Sequence, residues 1–135
     1  MRKIIALYRT GDKGKTETLN YVIEILQAIT TGSLTPLVPH YIDRKTTFVF
    51  NGLIVSVCTA GDNATEIKQN ETYFNNQKCD IAITASRSKG ESVDAINAMA
   101  RSNKATIQWV RKLVRSHNLY HLNVSDAHQI ISWIY

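Results

Sequence analysis

Short apolar runs alternate along this chain with segments whose apolar residues recur at helical spacing, and this alternation constrains the fold more than any other feature. The runs have the length of β-strands and fall at residues 3–8, 46–50, 53–59, 79–85 and 105–110. Strands that are separated by helices are typical of a parallel sheet with covered faces. The sequence therefore predicts an α/β fold with three layers, a mostly parallel five-stranded sheet and helices on both faces.

Four segments predict the helices. In the first, which begins at Thr16, apolar residues recur at positions i, i+3, i+4 and i+7 and place one stripe against a core. The others cover residues 63–76, the segment around Ile96, and the chain after Ser125, whose hydroxyl suits a helix N-cap. Residues 30–44 contain Pro36 and Pro39 and predict a loop.

Asn51-Gly52 joins two of the strand-like runs directly. Asn-Gly favours a type I′ turn, because both central residues of that turn need a positive φ. The sequence therefore predicts a hairpin that adds one antiparallel strand at an edge of the sheet.

The 135 residues suit one domain, residues 1–135. Sixteen basic and eleven acidic residues give a net charge of +5, which permits an anionic ligand without requiring one. No apolar run approaches the roughly 18 residues of a membrane span, and the first residues lead straight into a strand, so we expect neither a membrane segment nor a signal peptide. Cys58 and Cys79 have no metal-binding spacing and are expected to be buried, reduced thiols of a cytoplasmic protein.

The loop after the first strand carries the strongest functional pattern. Its end, Gly14-Lys15-Thr16, matches the close of the phosphate-binding pattern GxxxxGK[ST] between a strand and a helix. In that pattern backbone amides and the helix N-terminus face phosphate, the lysine supplies a point charge, and the hydroxyl ligates Mg²⁺. The expected phosphate-binding residues are Gly11, Asp12, Lys13, Gly14, Lys15 and Thr16. The alternative is a simple helix start with a solvated lysine and a capping threonine.

Asp62 is the only carboxylate in the loop 59–63, which is expected at the same edge of the sheet. It is a candidate to hold Mg²⁺ or to orient a water molecule near the terminal phosphate. The alternative is that Asp62 caps the helix at 63–76. Asp43 and Asp80 are weaker candidates, because the first precedes a strand and the second lies at the entry of one.

The third loop at this edge, residues 85–90, contains Arg87 and Lys89. An arginine there is a candidate to stabilise charge on a transferring phosphoryl group. The alternative is a solvated basic turn that leads into a helix.

The four histidines show no metal-ligand spacing. The stretch 95–125 has no acidic residue and contains Trp109 and Tyr120, so it is a candidate nucleic-acid surface. Such a run is more often a solvated face, and nucleic acid is therefore not the favoured partner.

The segment 14–26 resembles the loop and first helix of P-loop NTPases, with some similarity to the partitioning-type ATPases. The chain length and residues 53–62 also resemble small uncharacterised bacterial P-loop proteins. Arg9 replaces the leading glycine of the loop, Thr10 replaces the signature lysine of the partitioning ATPases, and Cys58 replaces the aspartate of the DTAG switch. The resemblance implies a nucleoside triphosphate and Mg²⁺ as ligands.

Together these features predict a P-loop protein that binds a nucleotide, ATP rather than GTP because no guanine-reading NKxD follows a strand. It is expected to act as a slow or switch-like NTP hydrolase in which Lys15, Asp62 and Arg87 are catalytic and Thr16 and Asp62 hold the metal. The alternatives are a small phosphotransferase that acts on a nucleotide or metabolite, and a non-catalytic adaptor that retains the loop. The sequence leaves a protein partner or a homodimer open.

Overall fold

The computed structural model of the chain describes residues 1–8, 14–31, 42–111 and 127–134. The predicted loop at 30–44 and the predicted cap Ser125 lie largely or wholly outside these residues. Residues 127–132, within the predicted last helix, are helical. Over the described ranges, no helix combines the length and the apolar character that crossing a membrane requires.

Five strands and three helices lie at the positions that the sequence predicts, and the strand ends differ from the predicted ones by at most two residues. The strands are β1 (Lys3–Tyr8), β2 (Lys45–Phe50), β3 (Leu53–Cys58), β4 (Ile81–Ser86) and β5 (Thr106–Arg111). The helices are α1 (Lys15–Thr31), α2 (Ala64–Gln77) and α3 (Glu91–Asn103).

The strands form one sheet in the order β2-β3-β4-β1-β5, in which only β2 is antiparallel to its neighbour. Phe50 pairs with Leu53 across Asn51 and Gly52, whose φ angles are 52° and 73°. Both turn residues therefore have the positive φ of a type I′ turn. The predicted hairpin and its place at a sheet edge are confirmed.

Alternate residues of β1 enter two separate cores. Ile5 and Leu7 pack with α1 and with the helical residues 127–132, whereas Ile4 and Ala6 pack with α2 and α3. This alternation follows from the two-residue period of a strand whose faces are both covered. The result is the predicted three-layer α/β fold.

Cys58 closes β3 and is fully buried, and burial raises the pKa of its thiol from 9.0 to about 12. Burial also raises the pKa of Cys79. Both residues are free thiols, as the sequence predicts.

The raised pKa of Cys58 gives a testable pH dependence. Above pH 9 the unfolded thiol ionises while the folded thiol keeps its proton, so stability falls as the pH rises from 9 towards about 12. The slope from one such group approaches about 1.4 kcal/mol per pH unit. We expect Cys58→Ala to lack this part of the slope, as measured by urea unfolding from pH 8 to 11. Parallel stability curves for the two proteins would contradict the assignment.

Candidate phosphate-binding site

Described residues of all three loops that the sequence singles out lie at the edge of the sheet where the parallel strands end. Tyr8 at the end of β1 pairs with Ser86 at the end of β4, and Cys58 at the end of β3 pairs with Thr84. β4 lies between β1 and β3. The loop that carries Asp62 therefore reaches Lys15 across one intervening strand.

Gly14 forms the turn into α1. Its φ is 88°, its carbonyl accepts the hydrogen bond of the Thr18 amide at 2.9 Å, and the residue is buried. A side chain would be strained at this φ, which explains glycine at the position. The turn leaves the first amides of α1 without partners within the helix, and this end of the helix carries positive partial charge.

Lys15, the first residue of α1, is 2% exposed. Its ammonium donates to Oδ1 of Asp62 and to the carbonyl of Ser86, both at 2.9 Å. The interpretation of Lys15 as a solvated lysine is therefore wrong. The structure brings together Lys15 and Asp62, two of the three predicted catalytic residues, and fixes them with a backbone carbonyl of β4.

Asp62 reaches Lys15 because its loop lies unusually close to β4. A Cβ on Gly61 would stand 1.9 Å from the carbonyl oxygen of Ala85, so this approach requires glycine. The amide of Asp62 donates to Oε1 of Glu66 at 2.8 Å. The N-cap of α2 is Asn63, whose side chain accepts from the Glu66 amide, so the alternative of Asp62 as the cap is wrong.

A second carboxylate, Asp43, lies at Thr16. Oδ1 of Asp43 accepts from the Thr16 hydroxyl at 3.2 Å and from the Thr59 hydroxyl at 3.0 Å. The sequence disfavours Asp43 because this residue precedes a strand. That strand, β2, is antiparallel, so its beginning lies beside the ends of the parallel strands, and the confirmed hairpin was the signal that would have found Asp43.

Arg44, the residue after Asp43, connects this segment to α1 and to the residue after β3. Its amide donates to the Thr59 hydroxyl oxygen at 2.8 Å, and its Nε donates to Oδ1 of Asn20 at 2.6 Å. The Asn20 side chain in turn donates to the carbonyl of Ile42 at 2.9 Å. The two chain neighbours of Asp43 are therefore both held by hydrogen bonds. Ile42 is bonded to α1, and Arg44 is bonded to the residue after β3.

Arg87 directly follows Ser86, and its side chain is exposed. Its amide donates to the hydroxyl of the buried Ser92 at 3.1 Å, which fixes the start of the loop against α3. The structure therefore places Arg87 next to the carbonyl that holds Lys15. Its predicted role towards a phosphoryl group stays a prediction.

The groups nearest to Thr16 at this edge carry oxygen atoms that can ligate a metal ion. The Thr16 and Thr59 hydroxyls and the Asp43 carboxylate converge within hydrogen-bond distance. Hard oxygen ligands of this kind suit Mg²⁺, which commonly takes one or two carboxylates and completes its shell with water and phosphate. Among the described residues, no group of three or more His, Cys, Asp or Glu side chains forms a cation cage.

Several predicted residues fall outside the described part of the chain. These are Gly11, Asp12 and Lys13 of the phosphate loop, together with the departures Arg9 and Thr10. Most of the basic stretch after Arg111 lies outside it as well. Their predicted roles stay predictions.

No protein-family model matches this sequence, and a search of curated proteins finds no significant relative.

Proposed function

We propose that this chain is a P-loop protein that binds the phosphates of a nucleoside triphosphate, ATP in preference to GTP, together with Mg²⁺. The observation that carries the proposal is the placement of Lys15. A buried ammonium lies on the first residue of a helix, directly after a glycine with positive φ, at the edge where the parallel strands end. Ligands of open α/β sheets bind at that edge.

The phosphates would take the place that Asp62 occupies at Lys15. Burial of the lysine makes its charge act in a low effective dielectric, where an anion is attracted more strongly than in water. The amides at the start of α1 add donors and positive partial charge. The Asp62 side chain is 38% exposed, so an anion that displaced it from Lys15 would leave its carboxylate in reach of solvent.

Mg²⁺ would be held by the Thr16 hydroxyl and a carboxylate. The sequence names Asp62 for this role, whereas the distances favour Asp43, because Asp43 already contacts the Thr16 hydroxyl and Asp62 contacts Lys15. When bound, the ion would neutralise charge between the outer phosphates. Asp62, once released from Lys15, would be left to orient a water molecule.

Hydrolysis by this arrangement would be slow. Apart from Lys15, the cations that the sequence offers at this edge and the structure describes are Arg87 and Lys89. Both are exposed, and an exposed charge stabilises a transition state less than a buried, preorganised one. A switch-like protein that binds nucleotide and turns it over slowly is therefore the proposed function. The two free, buried thiols support a reducing compartment, and we propose the cytoplasm.

The proposal is tested by calorimetry with ATP, GTP and their diphosphates, with and without Mg²⁺. We expect ATP with Mg²⁺ to bind most tightly and turnover to be slow. Turnover that requires a second small molecule would favour the phosphotransferase instead, and binding without any turnover would favour the adaptor. Absence of binding by any nucleotide would overturn both the proposed function and the nucleotide phosphotransferase.

Lys15→Ala should weaken ATP binding at least about tenfold, or about 1.4 kcal/mol, because it removes the buried ammonium at the first residue of α1. Lys68→Ala is the matched control, since Lys68 is an exposed lysine of α2. The partly exposed Asp62 can be solvated when its partner is gone, so the variant is expected to fold. Circular dichroism checks this, and equal affinity of the two folded variants would rule out the role of Lys15.

A further inference from the structure

A second recess opens at the same edge of the sheet, on the face that carries α2 and α3. It has a volume of about 340 Å³ and is lined by Tyr8, Ser88, Val93 and Trp109 among the described residues. These residues come from the end of β1, the loop after β4, the start of α3 and β5. None of the four carries a charge, which distinguishes this aromatic cleft from the charged groups around Lys15.

The cleft has two aromatic walls at a fixed angle. The ring centroids of Tyr8 and Trp109 are 6.0 Å apart, and their planes meet at 81°. Both side chains are only half-buried, and Trp109 packs partly on the core that α2 and α3 cover. An edge-to-face pair leaves ring surface available to a third planar group, which can stack on one ring and contact the edge of the other.

The aromatic cleft is also close to the phosphate site. Tyr8 pairs in register with Ser86, whose carbonyl holds Lys15 at 2.9 Å. Adjacent strands lie about 4.8 Å apart. A ligand with an anionic end and a flat, uncharged end could therefore occupy both places at once.

We infer that the aromatic cleft binds the nucleobase of the nucleotide whose phosphates lie at Lys15, with Trp109 and Tyr8 as the stacking residues. This inference rests on the proposed function. The aromatic walls of the cleft would select a neutral, planar heteroaromatic ring. The Ser88 hydroxyl adds a polar group at the rim. Stacking of a base on an aromatic side chain contributes roughly tenfold in affinity.

The fluorescence of Trp109 can be used to test this inference. The chain has two tryptophans, and Trp133→Phe leaves Trp109 as the only one. In this variant we expect ATP and adenosine to change the tryptophan emission, whereas tripolyphosphate, which has no ring, should not. ATP should also bind about tenfold more tightly than tripolyphosphate by calorimetry.

Two variants of the natural chain separate stacking from folding. Trp109→Leu should bring ATP affinity down to that of tripolyphosphate and leave tripolyphosphate affinity unchanged. Ser88→Tyr, at an exposed position, should do the same by filling the cleft without removing a core contact.

The outcomes distinguish this inference from the proposed function. Equal affinities of ATP and tripolyphosphate, both lost in Lys15→Ala, would overturn the base site and leave the phosphate site standing. Failure of both ligands to bind would overturn the proposed function and, with it, the occupant named for the cleft. An emission change with adenosine that persists in Ser88→Tyr would show that the ring binds elsewhere.

Discussion

Gly61→Ala is expected to destabilise the fold by at least about 3 kcal/mol, the upper end of the usual cost of overpacking. The added Cβ would lie 1.9 Å from the carbonyl oxygen of Ala85 and 2.4 Å from its carbonyl carbon. Both atoms belong to the backbone of β4, a central strand whose residues are all buried, so no flexible side chain can move aside. Relief therefore requires the loop to withdraw from the sheet, and withdrawal also separates Asp62 from Lys15.

Gly52→Ala is the matched control for this variant. Gly52 has a φ of 73°, and no heavy atom beyond Gly52 and its two chain neighbours lies within 4 Å of the position that a Cβ would take there. Its expected cost is the backbone strain alone, about 1–2 kcal/mol. Guanidinium unfolding of both variants measures the difference. A cost for Gly61→Ala no larger than that for Gly52→Ala would contradict the close approach of the loop to β4.

The strands, the hairpin and the two covered faces were predictable, because each follows from local patterns. Ile4 to Leu7 are apolar without alternation, which is how a strand buried on both faces reads. Asn51-Gly52 specifies its turn through backbone conformation alone. Neither inference needs to know which strands are neighbours.

To predict which carboxylate lies beside Thr16, one must know which strands are adjacent in the sheet. The sequence alone was insufficient for that. The order of strands places β4 between β1 and β3, and no local pattern in the chain encodes this order. Asp43 and Thr16 are 27 positions apart and meet only because β2 runs antiparallel beside β3. The role of Gly61 was likewise hidden, since the residue that excludes a side chain there, Ala85, comes from a different strand.

Asp43→Asn should remove most of the Mg²⁺-dependent gain in ATP affinity, whereas Asp62→Asn should leave that gain in place. Asparagine keeps an oxygen that can accept from the Thr16 and Thr59 hydroxyls but lacks the negative charge that a Mg²⁺ ligand supplies. A loss of about a hundredfold in Mg²⁺ affinity is expected, at the upper end of what losing a group near a metal costs.

Asp62→Asn tests the other half of the proposed site, because the Asp62 carboxylate pairs with Lys15 and would compete with a bound phosphate for it. Without its charge, metal-free ATP should bind about tenfold more tightly, or about 1.4 kcal/mol, while turnover falls if Asp62 orients the water. Calorimetry with and without Mg²⁺, together with phosphate release, separates the two carboxylates in one series. If Asp62→Asn abolishes the Mg²⁺ gain and Asp43→Asn does not, Asp62 is the metal ligand, as the sequence pattern predicts. If neither variant alters the Mg²⁺ dependence, neither Asp43 nor Asp62 holds the ion, and the non-catalytic adaptor becomes the better account of the fold.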